Sequence, residues 1–195
     1  MTNRSVIHKK RIITIAGRPG SGKSTASKAI AEQLGYEHFS SGDFFRAIGR
    51  ERGIDVTQTN QAAENDAEID RLVDERQTEI GKTQDQLVID ARLAWHFIPG
   101  SFKVYLDLDL EVAARRILAH MDPIRKAHEH IPDDPAQYAE ALQHRLELEA
   151  TRYEAKYEVD LHDLSNFDLV IDTAAHKPEQ VMELILDAYH KWLDT

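Results

Sequence analysis

Short β-branched apolar runs alternate along this chain with longer polar stretches. The runs that read as strands are Ile12–Ala16, Tyr36–Phe39, Leu87–Ile89, Val104–Leu106 and Leu169–Ile171. Strands separated in this way by helical stretches pair as a parallel sheet with helices on its faces. Thr25–Leu34 reads as the first helix. The last begins near Pro178 and places Val181, Leu184, Ile185, Ala188 and Trp192 on one face, all expected in the core. The nine glycines all lie at or before Gly100, so the second half should be rich in helix. No internal repeat or low-complexity tract interrupts the pattern.

Two segments exceed a minimal strand–helix alternation. Between strands two and three, the polar, acidic periodicity of 42–86 predicts two or three helices projecting from the sheet. The second, 120–160, carries Pro123, Pro132 and Pro135 ahead of another helical stretch. Insertions at the C-terminal edge of a parallel sheet are where ligands bind and lids close.

The 195 residues correspond to one domain. A net charge of -10 argues against nucleic acid as the main partner, which calls for a basic face, so any basic site is local. There is no cysteine, which excludes disulfides and thiolate metal sites. Basic residues from Arg4 to Arg11 precede only five apolar residues before Gly17, too few for a signal peptide core or a membrane span. A cytoplasmic protein without a membrane partner, and a monomer, is expected.

Gly17-Arg18-Pro19-Gly20-Ser21-Gly22-Lys23-Ser24 is a complete G-x-x-x-x-G-K-S loop, standing between a predicted strand and a predicted helix. In such a loop the backbone N–H groups turn toward phosphate oxygens and the helix N-terminus adds its positive dipole end. Gly17 to Thr25 are therefore the candidate residues for binding a nucleoside triphosphate. Lys23 would reach the β- and γ-phosphates, and Ser24 would ligate Mg2+. The competing reading is a chance glycine turn.

Ser41-Gly42-Asp43-Phe44-Phe45-Arg46 follows the second strand, and Arg92 lies just past the third. Strand ends in such sheets open on one crevice, so Arg46 and Arg92 can converge on a further phosphate, for which guanidinium is a natural bidentate ligand. Asp90, at the third strand's end, either holds a metal-bound water or caps the following turn. Trp95, His96 and Phe97 border the acceptor or belong to the core. His120, His128 and His130 around Asp122 suggest a metal site, but their spacing matches structural zinc poorly and solvated residues are the better reading. The acidic run 64–79 reads as the wet face of helices, with Ile69, Leu72 and Val73 turned inward.

Together these motifs resemble nucleoside monophosphate kinases, and most closely cytidylate kinases of the archaeal-like branch. Ser41-Gly42-Asp43-Phe44-Phe45-Arg46 resembles the S/T-G-D-x-x-R acceptor motif. Asp90-Ala91-Arg92-Leu93-Ala94 resembles an E-G-R-L-A segment, with aspartate for glutamate and alanine for glycine. Glu149-Ala150-Thr151-Arg152-Tyr153, Tyr157, Asp160 and Phe167-Asp168-Leu169-Val170-Ile171 resemble a late R-Y-x-x-x-Y-x-x-D…Y-D-L-V-I stretch.

The resemblance implies an α/β fold of the P-loop NTPase type, a three-layer sandwich with a five-stranded parallel sheet, a helical NMP-binding insertion and a lid. Its core would span 10–41, 86–119 and 165–195, with the insertion at about 42–85 and the lid and following helix at about 120–160. It further implies ATP- and Mg2+-dependent phosphoryl transfer to a nucleoside monophosphate, CMP or dCMP. Arg46 and Arg92 would bind the acceptor phosphate, with Ser41, Gly42 and Asp43 beside them. Arg116 would pack on the donor adenine while Arg115 faces solvent, and His120 stands where adenylate kinases often carry another arginine. Arg145 and Arg152, with Arg125 as a third candidate, would be lid arginines acting with Lys23 in catalysis.

Three other readings stay open. One is a P-loop kinase for another acceptor: AMP, UMP, or a hydroxyl such as that of a sugar or a shikimate-like acid. The second is a nucleotide-state switch, disfavoured because no Asn-Lys-x-Asp segment occurs. The third is a nucleotide-binding module without turnover.

Overall fold

A computed structural model describes residues 9–51, 67–121, 126 and 131–195. Five strands form one sheet: β1 Ile12–Gly17, β2 Glu37–Ser40, β3 Leu87–Asp90, β4 Phe102–Asp107 and β5 Leu169–Asp172. Their order is β2-β3-β1-β4-β5, and every pairing is parallel. Thr14 is level with Ile89 on one side and Lys103 on the other, which brings the ends of β1, β3 and β4 to one edge.

Every residue of β1 is buried, as expected for a central strand covered on both faces. Ile13 and Ile15 enter one cluster with Ile30, Val104, Leu106, Val181 and Ile185. Ile12 joins a second with Ile80, Leu87 and Ile89. Fully burying one such side chain stabilises by about 1.5–3 kcal/mol. Thr14, the polar exception, meets Ser101 Oγ at 3.0 Å inside the sheet.

Helix α1, Lys23–Leu34, ends at Gly35, whose φ of 65° places it in the left-handed region. The reversal spends the Tyr36 amide on Ala31 O at 2.8 Å. Tyr36 therefore belongs to the helix end, and β2 begins at Glu37, one residue later than the apolar run predicts. The last helix, Pro178–Asp194, differs from expectation in two positions. Its buried stripe is Val181, Ile185 and Tyr189, while Leu184 is 41% exposed and is not core. The contact line runs through every fourth residue, and Tyr189 fills the place beside Phe102 and Trp192.

Two helices of the first insertion are described: α2, Ser41–Glu51, and α3, Ala67–Thr83. They pack through Phe44, Ile48, Leu72 and Val73, so two of the three predicted inward positions on α3 are borne out; the Ile69 side chain lies outside the described residues. After β3 comes the single turn α4, Ala94–Phe97, and after β4 comes α5, Leu110–His120, capped by Asp109. Helix α6, Pro135–Tyr157, starts with proline at its first turn and Asp134 accepting from the Gln137 amide. The Pro178–Asp194 helix is α7. Asp122, Arg125, His128 and His130 lie outside the described residues, so the metal question raised by those histidines is not addressed by the fold.

Candidate active site

The glycine loop is shaped by sterics that only glycine satisfies. Gly17 has φ 142°, and a Cβ there would stand 2.2 Å from Leu106 O. The Arg18 amide donates to the same carbonyl at 3.1 Å, which pins the loop to β4. Gly22, at φ 87°, turns the chain into α1 so that the unpaired N–H groups of its first turn face the loop. Ser24 and Thr25 are exposed there, Pro19 and Gly20 are half-buried, and the buried Ser21 hydroxyl finds no hydrogen-bond partner among the described residues.

Lys23 folds back into the loop, donating to Gly17 O at 2.9 Å and Arg18 O at 2.8 Å. Burial pushes its pKa down to about 7, and the nearby Arg92 pushes the same way; Asp90 and Glu149 oppose this, and Arg145 adds to it. The side chain as a whole is only partly buried, but its ammonium is turned inward onto the loop carbonyls. A cation held among cations is a site prepared for an anion.

The ends of β2 and β3 are stitched together beside the loop. Ser40 Oγ donates to Asp90 Oδ1 at 3.3 Å and accepts from the Asp43 amide at 3.3 Å, while Ser41 Oγ donates to Asp90 O. His38 Nε2 lies 3.5 Å from Asp90 Oδ2 without forming a hydrogen bond. Among the described residues, then, the carboxylate of Asp90 joins two strands and does not cap the following turn. Gly42 and Asp43 lie in the first turn of α2, with Asp43 exposed. Arg46 lies on α2, and its side chain is outside the described residues.

Arg92 and Arg145 of α6 meet on one carboxylate. Arg92 Nε lies 2.7 Å from Glu149 Oε2, and Arg145 Nε lies 3.2 Å from Glu149 Oε1. Trp95 Nε1 donates to Arg92 O at 2.9 Å, and Trp95 is buried against Phe167, so it belongs to the core as well as to the site wall. Arg152, two turns beyond Arg145 on α6, stacks on Tyr153 with 5.2 Å between guanidinium carbon and ring centre. The same helix is tied to the insertion, because Asp74 of α3 accepts from the Tyr157 hydroxyl and pairs with Lys156 at 3.2 Å.

A cavity opens on each side of the loop. One, of about 730 Å³, is bordered by Thr25, Arg116, Ile117, His120, Thr173 and Met182. Arg116 is held across it by Thr173 O at 3.0 Å, whereas Arg115 is exposed and pairs with Glu111. The other, of about 230 Å³, is bordered by Arg18, Arg92, Trp95, Tyr105, Gln143 and Phe167. Arg18 lines it while pairing through Nε with Asp107 Oδ1 at 3.0 Å. Glu149, Asp107, Tyr105 and Thr173 were not among the residues the sequence singled out as functional. Glu149 stands in the motif around Arg152, but nothing local marks it as the partner of a residue 57 positions earlier.

The model of the cytidylate kinase-like family matches residues 12–175. The chain belongs to the cytidylate kinase-like family. Curated cytidylate kinases of this family include one from Halobacterium salinarum, 36% identical over 91% of this chain and 88% of that protein. Another, from Haloarcula marismortui, is 37% identical over 93% of this chain and 90% of its own length. Among solved structures, a shikimate kinase from Bacteroides thetaiotaomicron superposes with a TM-score of 0.59 at 15% identity, covering 94% of this chain and 98% of that one. A shikimate kinase from Aquifex aeolicus gives 0.54 at 16% identity, covering 92% and 96%. Those two show the P-loop kinase fold and nothing about the acceptor. For the cytidylate kinase-like family, the matched span runs from β1 past β5, so the glycine loop, Arg92 and Glu149 all fall inside it.

Proposed function

We propose that the chain transfers the γ-phosphoryl group of ATP to a nucleoside monophosphate, CMP or dCMP, yielding the diphosphate and ADP. The observation that carries this reading is the convergence of Arg92 and Arg145 on one carboxylate, within electrostatic reach of Lys23. Two guanidinium groups beside a phosphate loop suit an acceptor that already bears an anionic phosphate. Such an acceptor presents its own oxygen nucleophile, so positioning and charge neutralisation do most of the catalysis.

In this account the larger cavity takes the donor nucleoside, with Arg116 against the base and Gly17 to Thr25 around the phosphates. Arg46 and Arg92 hold the acceptor phosphate, with Ser41, Gly42 and Asp43 shaping the turn beside it. Lys23 gives up its contacts to Gly17 O and Arg18 O and pairs with the phosphate oxygens instead. Arg145 and Arg152 approach from the lid side to offset charge on the transferring group; a single arginine in that role is worth roughly a thousandfold or more in rate. The insertion and lid would be segments 42–85 and 120–160, joined through the Asp74 contacts to α6.

The residues present fit magnesium in the manner usual for nucleotide enzymes. Mg2+ keeps most of its waters and binds through few protein groups plus substrate phosphates, so the exposed Ser24 hydroxyl, with Asp90 reached through water, is a sufficient donor set. When bound it would screen the phosphate charges that Lys23 and the arginines also face.

The test is a coupled ADP-release assay with ATP and magnesium against CMP, dCMP, UMP, AMP, GMP and TMP, with shikimate and gluconate as hydroxyl acceptors. CMP and dCMP are expected to give the highest kcat/KM. Preference for another monophosphate would refute the cytidylate assignment; preference for a hydroxyl acceptor would refute the monophosphate reading altogether.

A further inference from the structure

Resting on that acceptor role for Arg92, we propose that Glu149 is a positioning residue that holds Arg92 and Arg145 by their Nε edges and so aims the remaining N–H donors of Arg92 at the acceptor phosphate and those of Arg145 at the transferring group. The three side chains come from two separate parts of the chain, the turn after β3 and the middle of α6. Each carboxylate oxygen takes one guanidinium: Oε2 approaches Arg92 at 2.7 Å, and Oε1 accepts from Arg145 Nε at 3.2 Å. The contact with Arg92 is short but not aligned as a hydrogen bond, so Glu149 restrains Arg92 chiefly by charge.

A carboxylate beside an anion-binding site repels the ligand, so its presence calls for an advantage elsewhere. Stability alone is a weak one. The pair with Arg145 is an i,i+4 contact to a side chain 54% exposed, a class that contributes little. The link to Arg92 differs, because Glu149 and Arg92 are 17% and 22% exposed and the ion pair is poorly screened. An arginine carries five donors in a planar fork, so engaging Nε leaves four on the terminal nitrogens. Fixing that fork before the ligand arrives removes ordering entropy from binding. Lys23, Arg92 and Arg145 remain a cationic majority even with Glu149 and Asp90 among them. The glutamate therefore sets direction without cancelling the attraction.

The proposal separates from simple stabilisation through a double-mutant cycle of Glu149→Gln and Arg92→Ala, measured with the best acceptor of the wild-type protein. Glu149→Gln alone is expected to raise the acceptor KM about tenfold while the donor KM stays within about twofold. In the Arg92→Ala background the same change should alter the acceptor KM less than about twofold, since the acceptor-binding arginine it positions is gone and Arg145 faces the transferring group. Glu149→Asp, which keeps the charge, should recover part of the loss, and it replaces the glutamine variant in the cycle if that variant does not fold. An unchanged acceptor KM in Glu149→Gln would overturn the proposal, as would additive effects in the cycle. An Arg92→Ala protein with wild-type acceptor KM would instead remove the acceptor reading on which the proposal rests.

Discussion

The two sides of the phosphate loop are built by different means. On the donor side the backbone does the work: Gly17, Gly20 and Gly22 adopt positive φ, and α1 offers its first-turn amides. Opposite, between the ends of β2 and β3 and helix α6, the site consists of charged side chains that reach each other across the fold. Arg92, Glu149 and Arg145 form that set, and Arg18 of the loop, paired with Asp107 at the end of β4, borders the same cavity. A backbone cradle is rigid and indifferent to which nucleotide brings the phosphates. A side-chain cluster is adjustable, costs ordering entropy and can select its ligand. Donor binding should accordingly fail through sterics, and acceptor binding through charge.

The largest expected effect breaks the backbone half. Gly17→Ala sets a Cβ 2.2 Å from Leu106 O, and overpacking added to the strained φ should remove about 3–5 kcal/mol of stability, read as a lowered urea midpoint. A midpoint within experimental error of wild type would show that the loop can move away from β4.

Arg92→Ala probes the other half. Losing a charge-assisted contact of about 1.5–3 kcal/mol should raise the acceptor KM by about 10–100-fold with the donor KM nearly unchanged. Equal increases in both constants would mean that the two halves are not separable.

Lys23 joins the halves, and its pKa of about 7 has a kinetic consequence. The triphosphate needs the ammonium form, whereas above pH 7 the free protein increasingly carries the neutral amine and must take up a proton to bind. kcat/KM for ATP should be level below that value and then fall by about tenfold per pH unit up to about pH 9. A level profile across the whole range would place Lys23 in a wetter setting than the loop carbonyls indicate.

The smallest effect is a control outside the site. Gly35→Ala meets no heavy atom within 4 Å but keeps φ 65°, so it should cost about 1 kcal/mol through backbone strain and leave kinetic constants unchanged. Altered kinetics would mean that the α1 end communicates with the loop at its start.

The same division explains what the sequence made legible. Gly17 to Ser24 are contiguous, so a local pattern reveals the cradle. The five strands were likewise visible as apolar runs, with β2 displaced only because Gly35 spends the Tyr36 amide on the helix end. On α7 the apolar periodicity points to Leu184 and passes over Tyr189, whose ring is buried although its hydroxyl meets Tyr36 at 3.2 Å. A tyrosine with a polar partner inside looks in sequence like one at the surface. Glu149 and Asp107 were invisible as site residues for another reason. Each acquires meaning only from an arginine brought to it by the fold, and one sequence carries no record of that pairing.

The central claim is that phosphate moves from ATP onto the phosphate of a second nucleotide, and its most direct test is the position of the transferred label. With γ-labelled ATP, magnesium and CMP, the account predicts label in the β-phosphate of CDP, formed one for one with ADP. Label released as inorganic phosphate, or remaining in ATP with every monophosphate supplied, would contradict it.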